Sequence, residues 1–384
     1  YLRETGDFSI LEAAVPWEND ESRTAPLLAH LKASFDHVVN HRGPHGLPLI
    51  GRADWNDCLI LNCFSSDPNE SFQTTENREG GVAESVFIGA MFVLYGGQYA
   101  DLCRRLGDDA EADRAQAEVD AMVSAMDEHG WDGDWFLRAY YAAGNKVGSD
   151  DNEESKIFIE PQGFAVMAGL GVDDGRARQS LDAVERLLAC EYGIVLNYPA
   201  FTRYYPEYGE ISTYPQGYKE NGGIFCHNNP WIIIAETVLG RGDRAWDYYT
   251  RIAPAWQKDV ELHTTEPYVY SQMIAGKEAA RPGEAKNSWL TGTAAWNDHA
   301  ITEHILGIKP DYDGLRIDPC IPADCAGYTV TRRYRGAEYR IEISNPHGVC
   351  EGIRSLTVNG EPVNGTLIPA APAGTGVSVE VVLG

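Results

Sequence analysis

Three segments of the chain concentrate side chains of the kind from which a sugar site is built. The first is Gly51-Arg52-Ala53-Asp54-Trp55-Asn56-Asp57-Cys58, two carboxylates, an indole and an amide within eight residues. An aromatic plane covers the apolar face of a pyranose, while amides and carboxylates bind its hydroxyls. A carboxyl group kept protonated by a partly apolar surrounding can donate its proton to a leaving glycosidic oxygen. The same spacing also fits a helix cap with a stacked Trp, since helix N-termini collect Asp and Asn. Spacing alone does not choose between Asp54 and Asp57 as the donor.

The second segment runs from Tyr214 through Lys219, Glu220 and His227 to Trp231, a long polar loop leading into an apolar stretch. Loops of this kind commonly carry function. His227 precedes the expected helix start, where free amides and the helix dipole favour an anion; a structural histidine is the plainer alternative. Cys226-His227 has no second ligand pair at zinc spacing, so no metal is expected. The third segment is Ser288-Trp289-Leu290-Thr291-Gly292-Thr293-Ala294-Ala295-Trp296. Its Thr-Gly-Thr offers hydroxyls and exposed N–H groups to a phosphate oxygen, though helix capping alone would also account for it. Other patterns carry less. Gly169-Leu170-Gly171 misses the dinucleotide spacing, Asp311-Tyr312-Asp313-Gly314 lacks the rest of a calcium loop, and there is no P-loop or GxSxG.

These segments need a scaffold, and the sequence indicates helices. Leu28, Leu31, Phe35 and Val38 share one face of a helix over 25–41. The stretch 84–106 is apolar nearly all round, as in a buried inner helix. Ala112, Ala115, Val119, Met122 and Met126 form a single stripe, as on an outer helix. Amphipathic 176–190, apolar 230–239, mixed 243–252 and 294–306 continue the series. Alternating buried and amphipathic helices imply two concentric layers. After Gly307 strand signals take over: 328–335 pairs with 338–344 about Gly336-Ala337, Asn359-Gly360 marks a type I′ hairpin, and 377–383 is a last strand. The expected architecture is therefore mainly α, an α/α toroid over residues 1–308, followed by a small C-terminal β-sandwich over 309–384.

Composition limits the partners. The 384 residues carry a formal charge of −26, which argues against nucleic acid and against an anionic membrane surface. No uninterrupted apolar run approaches the roughly 18 residues of a membrane span. Eight cysteines without a CxxC pair read as reduced thiols of a cytoplasmic protein, with a Cys320–Cys325 disulfide left open. Tyr1 to Asp7 reads as a helix end and turn, so the chain is expected to begin inside a longer protein.

Taken together and in this order, GRADWNDC, YPQGYKENGGIFCHNNPW and SWLTGTAAW resemble the glycoside hydrolase family that holds cellobiose, cellodextrin, laminaribiose and chitobiose phosphorylases. GIKPDYDGLRIDPCIP is similar to that family's passage into its C-terminal β-domain, and YKENGGIFCH is nearest the cellobiose-specific members. The resemblance implies an (α/α)6 barrel whose early helices are missing here, then a β-sandwich, in a homodimer. It implies reversible inverting phosphorolysis of cellobiose to α-D-glucose 1-phosphate and D-glucose, with inorganic phosphate as co-substrate and no cofactor. Residue by residue, it implies Asp57 as the general acid and Trp55 as a wall around the glycosyl ring. Tyr214, Lys219 and Glu220 match groups around the leaving glucose, and His227, Gln272, Thr291 and Gly292 match the phosphate site. The family's phosphate-binding Arg, and an Asp that holds the non-reducing glucose, fall in the absent N-terminal part. An inverting hydrolase on the same barrel, with Glu220 or Glu210 as base, and a sugar-binding fragment unable to turn over are the competing readings.

Overall fold

The computed structural model describes residues 1–77 and 81–384. The chain separates into two compact units. The larger comprises 31–235 and 250–294 and is built mainly of helices and long loops.

Its centre is the helix Val86–Arg105, started by Ser85, whose hydroxyl accepts the Ile88 N–H. Val86, Phe87, Ala90 and Ala100 on this helix are completely buried. The helix is long and apolar enough to cross a membrane by length and composition, but most of it lies inside the unit. On one side it packs against Asp109–His129, which buries the stripe expected from sequence: Ala112, Ala115, Val119, Met122 and Met126. Gly89 lets the two helices close, since a Cβ there would lie 2.8 Å from the Met126 sulfur. Each large side chain on that stripe contributes about 1.5–3 kcal/mol through burial. On the other side, Phe87 meets Phe164 of the buried helix Ile159–Met167 at 5.3 Å. The apolar helices are thus buried and the striped helix packs by its apolar face, as their patterns required.

Some boundaries differ from the sequence reading. Residues 176–190 are not one helix: Arg176–Ala183 passes into a π-turn at Val184–Leu188 and then a short strand, Ala189–Cys190. Leu181, Val184 and Leu188 are nonetheless fully buried, as the stripe demanded. In Leu27–Asn40 only Phe35 is fully buried and Leu31 is exposed.

The other unit comprises 1–30, 236–249 and 295–384. Its main sheet has five strands, with Ala337–Ser344 flanked by Gly327–Tyr334 (antiparallel) and Gly376–Leu383 (parallel). Alternation is strict: Tyr339, Ile341 and Ile343 point inward, Glu338, Arg340 and Glu342 outward. Ile353–Val358 turns into Glu361–Pro362 through Asn359-Gly360, both with positive φ, as a type I′ hairpin requires. Leu367–Pro369 leaves that hairpin and joins a second sheet with Gly314–Ile317 and Ile308–Pro310. The first residues belong to this unit: Glu4 pairs with Arg332 at 2.7 Å, and the Tyr334 hydroxyl donates to the Arg3 carbonyl. A hairpin of Ala14–Trp17 with Asp20–Pro26, unmarked in the sequence, follows them. All eight cysteines are free, so the Cys320–Cys325 disulfide is not formed.

Candidate active site

Within the larger unit one cavity of about 240 Å³ is lined by Trp55, Asn56, Asp57, Glu220, Phe225, His227, Gln272, Leu290, Thr291 and Gly292. The three sequence segments therefore converge. A small sheet with no sequence signature brings the second and third together. Ile224–Phe225 pairs with Ser271–Ile274, which pairs with Ala285–Ser288. His227 lies two residues beyond the first strand, Gln272 lies in the middle one, and Leu290-Thr291-Gly292 follows the third. The Cys226 N–H donates to the Gln272 carbonyl at 2.9 Å, which ties the His227 loop to this sheet.

The opposite wall is the loop 51–58. Trp55 leans on an aromatic cluster, 5.3 Å from Trp231, 5.7 Å from Phe225 and 5.7 Å from His227. Its position is fixed from below, leaving the ring to face the cavity. The two carboxylates of the loop have separate fates. Asp54 turns inward and receives both ends of the Arg138 guanidinium, at 2.5 and 2.7 Å, together with the Ser85 hydroxyl and the Asn56 N–H. Burial pushes its carboxyl upward, yet the Arg138 charge and these hydrogen bonds outweigh it and hold Asp54 below the ordinary carboxylate range. Such a group is a fixed anion and a poor proton donor. Asp57 turns outward, is exposed, and lines the cavity.

Glu220 is the second carboxylate on the cavity wall. Burial raises its pKa above the usual value, and the nearby Asp57 and Glu210 add to the shift while Lys219 opposes it. Its Oε2 is buried with no hydrogen-bond partner among the described residues. Tyr214 is not on the wall. Its hydroxyl donates to Glu210 Oε1 at 2.9 Å and lies 3.7 Å from the Cys58 sulfur, one residue behind Asp57. Burial pushes the Cys58 thiol up to about 12, so it stays protonated.

Lys219 is also behind the wall. Held in the left-handed region at φ 52°, it sends its ammonium to Gln272 Oε1 at 2.9 Å. Asn287 Nδ2 donates to the same oxygen at 2.9 Å. With its acyl oxygen engaged twice, Gln272 retains its amide N–H groups for the cavity. His227 is half-buried, and desolvation lowers its pKa, so at neutral pH the imidazole offers a ring N–H and no full charge. Gly292 packs directly on this ring: a Cβ there would stand 2.7 Å from Cε1 and 2.9 Å from Nδ1. Thr291 Oγ1 accepts the Thr293 N–H at 3.1 Å, so capping and cavity lining coexist in one residue.

Sequence reasoning missed Arg138, Glu160 and Asn287, and named Glu210 only as a candidate base. Arg138 left one signal, a lone cation in the apolar run Trp135-Phe136-Leu137-Arg138-Ala139-Tyr140-Tyr141, where a charge must find a buried partner.

The mainly helical unit thus gathers an indole, two carboxylates and a cluster of neutral N–H and O–H donors in one cavity. Comparison with known proteins places the chain in a family. The chain belongs to the glycosyl hydrolase 94 superfamily, whose catalytic-domain model matches residues 1–307. It is 37% identical over its whole length to the N,N'-diacetylchitobiose phosphorylase of Vibrio furnissii, covering 45% of that protein. It is 34% identical over 99% of its length to the solabiose phosphorylase of Paenibacillus borealis, covering 48%. The chain thus spans about half the length of these curated relatives. A solved sialidase shares the chain path over 88% of the chain and 28% of its own, with a TM-score of 0.59 at 14% identity. That likeness concerns fold alone.

Proposed function

We propose that the chain carries the catalytic cavity of an inverting disaccharide phosphorylase acting on a β-linked disaccharide. The observation that carries this reading is a cavity lined by Asp57 and Trp55 together with His227, Gln272, Thr291 and Gly292. Asp57 gives its proton to the glycosidic oxygen. A phosphate oxygen attacks the anomeric carbon from the opposite face, the bond to the leaving sugar breaks, and the products are an α-glycosyl 1-phosphate and a free sugar. An inverting hydrolase needs a second carboxylate to activate water; phosphate arrives already anionic and needs no such base. The donors at 227, 272 and 291–292 hold it in line, and positioning of this kind supplies several kcal/mol of the barrier reduction.

The cavity is smaller than the roughly 300–1,000 Å³ typical of drug-sized ligand pockets, which suits one sugar ring and an anion. Cellobiose is the proposed substrate, on the strength of the YKENGGIFCH loop; the chitobiose and solabiose phosphorylase relatives supply the comparison sugars. We further assign the helices to an (α/α)6 barrel, the terminal strands to a β-sandwich, and the whole protein to a cytoplasmic homodimer. Proton NMR of cellobiose with phosphate and enzyme tests the reaction: an α-anomeric phosphate signal is expected. A second reading, an inverting hydrolase with Glu220 as base, draws on Glu220 as the second carboxyl group beside Asp57 on the cavity wall. Free sugar alone, formed at a rate indifferent to phosphate, would establish it instead.

A further inference from the structure

Behind the catalytic loop lies a charge cluster that no part of the proposed reaction uses. Arg138 is completely buried, its guanidinium 5.3 Å from the centre of the Phe87 ring. It makes two short bonds to Asp54, and its Nε stands 3.4 Å from Glu160, which is also completely buried. Two buried carboxyl groups thus share one cation in the core, and burial raises the Glu160 pKa against the pull of Arg138. A buried ion pair of this kind is rarely retained for stability, because desolvating its charges offsets most of their attraction.

Its geometry gives it another use. Asp54 Oδ1, held by Arg138, accepts the Asn56 N–H at 3.1 Å, and Asn56 Oδ1 accepts the Cys58 N–H at 3.2 Å. These bonds run along the backbone of Trp55, Asn56 and Asp57, the three residues that the loop gives to the cavity. Ser85 adds a bond to Asp54 Oδ2 at 2.8 Å while capping the central helix. The loop is therefore fastened to the start of Val86–Arg105 and to residue 138 through one carboxylate.

We propose that Arg138, Asp54 and Glu160 are positioning residues for catalysis, a buried clamp that sets where the Asp57 carboxyl and the Trp55 ring stand in the cavity. This rests on the phosphorylase reading for its kinetic consequence, but not for its structural one. The phosphate groups come from segments 227, 272 and 291–292, which the clamp does not hold. Releasing it should move the acid without moving the phosphate site.

The test is Asp54→Asn in the full chain, an isosteric change that removes the charge Arg138 grips. Two readouts are taken, initial rates and hydrogen–deuterium exchange of the folded protein. We expect kcat to fall about 10–100-fold, the scale of a roughly 1 Å misplacement, with KM for phosphate unchanged. Exchange should accelerate over residues 51–58 and stay as before in Asp109–His129. Ser85→Ala, which removes one of the bonds to Asp54 together with the cap on Ile88 N–H, should give a smaller change of the same pattern and serves if Asp54→Asn does not fold. Asp57→Asn, outside the clamp, should leave exchange at 51–58 as it was. A kcat within twofold of wild type for the folded variant, or exchange that rises evenly through the unit, makes the cluster merely structural and overturns the proposal. If wild type itself performs no phosphorolysis on any disaccharide tried, the functional reading falls, and the exchange pattern still decides the clamp.

Discussion

Replacing Asp57 by Asn separates the chemistry from the fold. The carboxyl is exposed, and among the described residues its hydrogen-bond contact is a 4.0 Å approach from the Cys58 sulfur. The bond from Arg52 reaches the Asp57 backbone carbonyl, which the substitution leaves alone. Surface changes of this kind alter stability by no more than about 0.5 kcal/mol, so urea unfolding of the variant should match wild type. The rate should not. A positioned general acid contributes about 10²–10⁴-fold, so kcat for disaccharide phosphorolysis should drop by that factor, about 3–5 kcal/mol in the barrier. The loss should depend on the leaving group. An aryl glycoside with a strongly acidic phenol departs without a proton, and on it the variant should recover to within about tenfold of wild type. Initial rates of α-glycosyl 1-phosphate formation on both substrates provide the assay. Near-normal turnover of the disaccharide, or an equal loss on both substrates, refutes the assignment of Asp57 as proton donor.

His227→Ala should raise KM for phosphate about tenfold while leaving KM for the sugar within twofold, as read from initial rates at varied phosphate. Burial holds the His227 pKa below its unfolded value. Its contribution to stability is therefore present above about pH 6.5 and is lost as the pH falls toward the folded value; urea titrations should show His227→Ala losing less stability than wild type over that range. Lys219→Met should weaken phosphate use more than sugar binding, because the ammonium sits on Gln272 and not on the cavity wall; a rise in sugar KM alone would restore the role implied by resemblance. Met122→Ala, at a fully buried site on the helix stripe, should cost about 2–5 kcal/mol in urea unfolding with kcat unchanged.

What the sequence made legible was periodic or local. The stripe from Ala112 to Met126 was readable because one helical face repeats it, and the Asn359-Gly360 turn because only certain residues tolerate its backbone. The segments that meet in the cavity were readable by composition, as dense mixtures of aromatic, amide and carboxylate groups. The choice between Asp54 and Asp57 was not, since it depends on Arg138, far off in the chain and surrounded by apolar residues. Nor was the sheet of Ile224–Phe225, Ser271–Ile274 and Ala285–Ser288, whose strands are too short to show a period of two. Lys219 illustrates the remaining gap: its place in a motif was plain, but its target was decided by a left-handed backbone that aims it at Gln272.

A chain with a formal charge of −26 must still capture a dianion if the proposed reaction is right. A cavity walled by cations would be the direct solution, but the wall residues Trp55, Asn56, Phe225, Gln272, Leu290, Thr291 and Gly292 are uncharged, His227 is kept neutral by burial, and Asp57 and Glu220 are acids. Lys219 stands one hydrogen bond behind the Gln272 amide, and Arg52 reaches the Asp57 backbone carbonyl. The Lys219 ammonium occupies the Gln272 acyl oxygen, which leaves that amide's N–H groups available as donors. The donors this chain lends to the wall are neutral; they act at hydrogen-bond range and are strongest where water is excluded, and the family's phosphate-binding Arg, implied by resemblance, would add the charge.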